Sequence, residues 1–141
     1  MKSEYYTLKG YKLRSDIKIT EAMEDYLEMI YRKTRNKKDI SVSTLSNLLN
    51  VRYSSVSKMI TRLKELGLVN SLKYKTISLT KEGKIIGKYL IYRHNILKNF
   101  FKYINGKQYN LSQVERVEHF IDNITIENIE TFINKIKTNH N

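Results

Sequence analysis

The chain has 141 residues, 40% of them hydrophobic, and 26 Lys and Arg against 14 Asp and Glu give a formal charge of +12. This length suits one domain or two small ones with a real core. The lack of cysteine excludes disulfides and thiolate metal sites, so any metal must be held by oxygen and imidazole. Lys and Arg interrupt every apolar segment, leaving no membrane span and no signal-peptide pattern and predicting a cytoplasmic protein.

The charge is unevenly spread. Acids gather at Glu21, Glu24, Asp25 and Glu28 and again at Glu115, Glu118, Asp122, Glu127 and Glu130, while residues 51–75 carry six Lys or Arg against one Glu. The basic balance points to a polyanionic partner. The acidic clusters repel internally unless a counter-cation neutralises them.

Residues 1–20 are basic and rich in Tyr and are expected to form an N-terminal extension, a flexible tail rather than the alternative, a DNA-contacting arm. Residues 21–80 are expected to form a winged helix-turn-helix domain, and residues 81–141 a linker helix with a helical metal-binding and dimerisation domain. The first helix starts at Ile19 with Thr20 as N-cap and runs to about Thr34. Met23, Tyr26, Leu27, Ile30 and Tyr31 form its apolar stripe, with Asp25 and Glu28 on the opposite side.

After the polar break from Arg35 to Asp39, Ser43 is expected to cap a short helix with Leu45, Leu48 and Leu49. Asn50, Val51 and Arg52 make a tight turn. A second helix is expected to open at Ser54 or Ser55, with Val56, Met59, Ile60 and Leu63 inward, ending before Gly67. Leu68–Leu72 and Thr76–Leu79, joined by a Lys73–Lys75 tip, then read as a hairpin, the wing. The expected DNA contacts are Ser43, Arg52, Tyr53, Ser54, Ser55, Ser57, Lys58 and Arg62 at base edges and phosphates, with Lys73, Tyr74 and Lys75 on the adjacent backbone. Such contacts weaken as salt rises.

Thr80 caps a long helix to about Ile104, with Ile86, Leu90, Leu97, Phe100, Phe101 and Ile104 expected to face inward and Asn105-Gly106 ending it. At roughly 1.5 Å per residue it spans ~35 Å. His94 lies near its middle. In SQVERVEH, Glu115, Glu118 and His119 stand at i, i+3 and i+4, which places three potential metal donors on one helical face; Ser112 and Glu115 also fit a capping box. From Ser112 to Lys137 two helices, split around Asn123–Thr125, carry more apolar surface than they can bury between themselves. A homodimer closed here would also present two winged helices to a palindromic operator.

Asp25-x-x-Glu28 before a winged helix, His94 in LIYRHNIL and Glu115-x-x-Glu118-His119, together with SSVSKMITRLKELGLV and LTKEGKIIGKYLIYRH, resemble the diphtheria-toxin-repressor family of metal-dependent transcription regulators, specifically its manganese-responsive, MntR-type branch. The resemblance covers roughly residues 21–137. It implies a mainly α fold with a small β wing, a cytoplasmic homodimer on a pseudo-palindromic double-stranded operator, and repression of metal-uptake genes. It also implies that Asp25, Glu28, His94, Glu115, Glu118 and His119 ligate two Mn²⁺ per subunit, with Glu28, Glu115 and Glu118 helping to link the ions, His94 serving one and His119 the other. Four carboxylates then face two divalent ions. Iron-responsive members place Met near the position of Asp25 and Cys at that of Glu118, so this oxygen-rich set suits Mn²⁺. Fe²⁺, Co²⁺, Cd²⁺ or Zn²⁺ are also expected to bind.

Two rivals make different demands. A metal-independent winged-helix regulator would leave the six donors unexplained. A di-metal carboxylate enzyme would be expected to carry paired Glu-x-x-His motifs, and here Glu115 and His119 are four apart; no nucleophile–base pair or phosphate-binding Gly loop is evident either, so an enzyme is not expected.

Overall fold

The computed structural model describes Gly10 and residues 16–36, 39–71 and 76–139. The expected hairpin tip, Lys73, Tyr74 and Lys75, and most of the N-terminal extension lie outside these residues. Two compact units divide between Tyr89 and Leu90.

The first unit opens with α1 (Glu21–Thr34), whose N-cap Thr20 accepts the amide of Met23 at 3.2 Å. Leu27 and Ile30 are fully buried on its inner face. β1 (Ile40–Ser41), α2 (Val42–Leu49) and α3 (Tyr53–Glu65) follow. β2 (Val69–Ser71) and β3 (Thr76–Leu79) form the expected hairpin, and β1 pairs with the far side of β3, so the sheet order is β1-β3-β2, all antiparallel. Ile40 stands opposite Ile77 and Val69 opposite Leu79, four side chains that all enter the core.

Capping departs from expectation in two places. Ser41, not Ser43, caps α2, accepting the Thr44 amide at 3.0 Å; the strand residue doubles as the cap because β1 runs straight into the helix. Likewise α3 opens at Tyr53, ahead of the serines, with Arg52 as an N-cap that makes no side-chain bond. The turn between them uses Asn50 at φ 54, a left-handed conformation that Asn tolerates.

At the end of α3, Gly67 takes φ 76, and the amides of Gly67 and Leu68 bond to the carbonyls of Lys64 and Leu63 at 3.0 and 2.9 Å. This pairing satisfies two helix-end carbonyls and needs the left-handed residue that glycine supplies. The Thr80 hydroxyl donates to the Gly67 carbonyl at 2.6 Å and accepts the Gly83 amide at 3.1 Å, tying the start of α4 (Lys81–Asn105) to the end of α3. Gly83 permits that approach, since a Cβ there would stand 2.1 Å from the Leu68 carbonyl oxygen.

The second unit contains α4 from Leu90 onward, a 3-10 turn over Gly106–Gln108, α5 (Leu111–Val117), a second 3-10 turn over Glu118–Phe120 and α6 (Asn123–Asn139). Leu97, Val114 and Ile126 are its fully buried centre, with Tyr92, Ile96, Phe101, Tyr109, Ile121 and Ile129 packed around them. Tyr92 Oη donates to Glu130 Oε1 at 2.8 Å, joining α4 to α6. Ile104, expected inside, is 51% exposed because α4 outruns the core it packs against. Asn110 caps α5 through the Ser112 amide at 2.9 Å, so the expected Ser112–Glu115 capping box does not form.

Candidate metal centre and DNA-reading face

In the first unit, α3 divides sharply by exposure. Val56, Ile60 and Leu63 are buried, while Arg52, Tyr53, Ser54, Ser55, Lys58, Thr61 and Arg62 are exposed and Ser57 is half-buried. Ser43 on α2 is exposed as well. Apart from half-buried Ser57, the expected contact residues among those described are therefore accessible and present a surface of hydroxyls and cations. Such a surface can meet phosphates and base edges.

The same unit carries two of the six expected metal donors. Asp25 and Glu28 stand one turn apart on α1; Asp25 is exposed, and Glu28 accepts from the Arg32 guanidinium at 2.8 Å across an i,i+4 pair. Glu24, named above only as one member of an acidic cluster, is the buried acid of this helix, only 2% exposed. It lies beside Met23 on the inward side, and the periodicity alone would have warned of it.

The second unit holds the other four. His94 on α4 and Glu118 meet directly, Nδ1 to Oε2 at 2.8 Å, although 24 residues apart in sequence. Both are buried, 6% and 1% exposed. At 2.8 Å the pair is a hydrogen bond between two buried groups. It also has the arrangement by which a carboxylate orients a ligating imidazole.

The expectation of one helical face bearing Glu115, Glu118 and His119 is corrected. α5 stops at Val117, and Glu118 and His119 belong to the 3-10 turn. Glu118 turns inward, His119 is half-buried and Glu115 stays exposed on α5. Glu118 stands four residues after the buried Val114 and shares its inward face, whereas Glu115, the next residue after Val114, is turned about 100° away from that face.

The profile of the iron dependent repressor N-terminal DNA binding domain matches residues 18–77, and that of the iron dependent repressor metal binding and dimerisation domain matches residues 80–141. The chain is 35% identical over 119 residues to the HTH-type transcriptional regulator MntR of Oceanobacillus iheyensis, covering 84% of this chain and 81% of that one. It is 37% identical over 111 residues to MntR of Bacillus subtilis, covering 78% of each. Among solved structures, the manganese regulator SloR superposes with a TM-score of 0.68 at 28% identity over 79% of this chain; the match spans about half of that protein, 53%. Both profiles, and relatives matched over most of their length, lead to one conclusion: the chain belongs to the iron-dependent repressor family of metal-dependent, DNA-binding transcriptional regulators, alongside the MntR proteins.

Proposed function

We propose that the protein is a manganese-activated repressor of metal-uptake genes, a homodimer on a pseudo-palindromic operator. Asp25 and Glu28 from the first unit and His94, Glu115, Glu118 and His119 from the second are its ligands for two Mn²⁺ per subunit. The buried His94–Glu118 pair is the observation that carries the proposal. An imidazole and a carboxylate desolvated together in a helical core are costly without a function, because each loses water that the other only partly replaces.

The donor chemistry supports the choice of metal. With no thiol in the chain, the set is oxygen and imidazole, which suits Mn²⁺; the relatives named MntR and the manganese regulator SloR agree with it. Raw affinity rises toward Zn²⁺, and Fe²⁺, Co²⁺ and Cd²⁺ fit the same donors, so selectivity rests on which ion activates.

When bound, the metal supplies positive charge and fixed coordination directions. The chain's residues do the rest. To hold an ion, Glu28 would give up its Arg32 partner, Glu118 would orient the His94 imidazole, and the bound positive charge would offset that of the four carboxylates. Donors contributed by both units then couple metal occupancy to the spacing of the two α3 helices in the dimer. The exposed Phe120, Ile124 and Phe132 supply apolar surface for that dimer. A ligand shifts an equilibrium only by its differential affinity, so operator must tighten Mn²⁺ as much as Mn²⁺ tightens operator. Calorimetric titration of Mn²⁺ with and without operator DNA tests this. Tighter Mn²⁺ binding on DNA is expected; equal affinity in both states would remove the mechanism.

A further inference from the structure

The first unit contains a cleft of about 420 Å³ whose described lining includes none of the expected DNA-contact residues or metal donors. Its floor is apolar, formed by the Tyr31 ring, Leu79 and Ile85, and Arg35, Lys84 and Lys88 stand around it, with no carboxylate among the described lining residues. We propose that this cleft binds a small organic anion with an apolar body, of the aryl or short-chain carboxylate class. Its size and mostly apolar lining with a few convergent polar groups are those of a small-molecule site.

The placement of the cations separates this from ordinary surface lysine. Arg35 ends α1, where positive charge is favoured by the helix dipole and needs no other reason. Lys84 has no such reason. It stands in the first turn of α4, where the dipole disfavours a cation. An anion in the cleft removes that penalty. The aromatic wall is also held in place: Gly87 lets the α4 backbone lie against Tyr31, where a Cβ would stand 2.7 Å from the Tyr31 Cβ and 2.9 Å from its Cγ. A preformed wall lowers the cost of ordering the site. DNA phosphates and inorganic anions would use the cations but leave the apolar floor unused.

The test is a titration of ¹⁵N-labelled full-length protein in chelator with three probes: 2-naphthoate, its uncharged counterpart 2-naphthalenemethanol, and inorganic phosphate. Saturable shifts at amides of residues 31–35 and 79–88 are expected with naphthoate, about tenfold tighter than with either other probe, the factor of one charge-assisted contact. Arg35→Gln/Lys84→Gln should lose that advantage while amide positions in the rest of the protein stay unchanged, and Lys84→Gln alone should lose part of it. Equal responses to all three probes, naphthoate shifts elsewhere, or naphthoate binding unchanged in the variants would overturn the proposal. A variant that weakens only non-specific DNA binding would instead assign the cations to phosphate contacts, and would overturn it too.

Discussion

Both units have an aliphatic centre, and they differ in what they bury beside it and in what they leave out. In the first, the described core is aliphatic and aromatic with Glu24 as its one buried charge, and its exposed large hydrophobics, Leu48, Tyr53 and Leu66, are each only 37–40% accessible. In the second, Arg93, His94, Glu118 and Asn123 are inside, while Phe120 and Ile124 are 74% and 70% exposed and Tyr103, Ile104 and Phe132 stand about half open. A unit that folds to present a surface puts its polar groups outside. A unit that folds to receive an ion and a second copy of itself buries polar groups for the one and leaves apolar groups out for the other.

That contrast breaks most easily at the core of the first unit. Leu63→Ala removes a fully buried side chain from α3, and a loss of about 2–5 kcal/mol in stability is expected by guanidinium denaturation. A loss under 1 kcal/mol would mean that this core is less tightly built than its burial implies. In the second unit the sensitive residue is polar. Glu118→Gln preserves shape but removes the charge of a proposed ligand, and Mn²⁺ affinity should fall about 100-fold, the upper end of what even indirect partners of a metal contribute. An unchanged Mn²⁺ titration would make the buried pair structural.

The exposed apolar groups sharpen the comparison differently. Phe120→Ser with Ile124→Ser should leave the stability of the monomer within about 0.5 kcal/mol per site, as surface changes do. In sedimentation, the same variant should shift toward monomer. A dimer of undiminished affinity would place the interface elsewhere. The smallest effect belongs to a local feature: Ser41→Ala should cost about 1 kcal/mol by loss of the α2 cap, whereas Ser43→Ala should leave stability nearly unchanged and act only on operator binding.

Where local chemistry decides the structure, the sequence was legible. Thr20, Thr80 and Gly67 mark the ends they were expected to mark, and the stripes of α1 and α3 face the core as their spacing requires. Legibility failed where tertiary pairing takes over. Two residues, Ile40 and Ser41, are too short a run to show strand alternation, yet pairing with β3 makes them a strand and moves the α2 cap back to Ser41. Likewise nothing in SQVERVEH signals that α5 tightens to a 3-10 turn at Glu118. Glu118 was singled out by its residue type and its place in a motif; its partner His94 lies on a different helix, and only the fold brings those two side chains within 2.8 Å.

The central claim is that metal gates DNA reading. Fluorescence anisotropy on DNA from upstream of the protein's own gene and of nearby transporter genes, first in chelator and then with Mn²⁺ titrated in, tests it most directly. Tight, sequence-selective binding that appears only with Mn²⁺ and is lost in His94→Ala is the predicted result. Equal binding in chelator, unchanged by that substitution, would contradict the account and leave a winged-helix regulator that does not depend on metal.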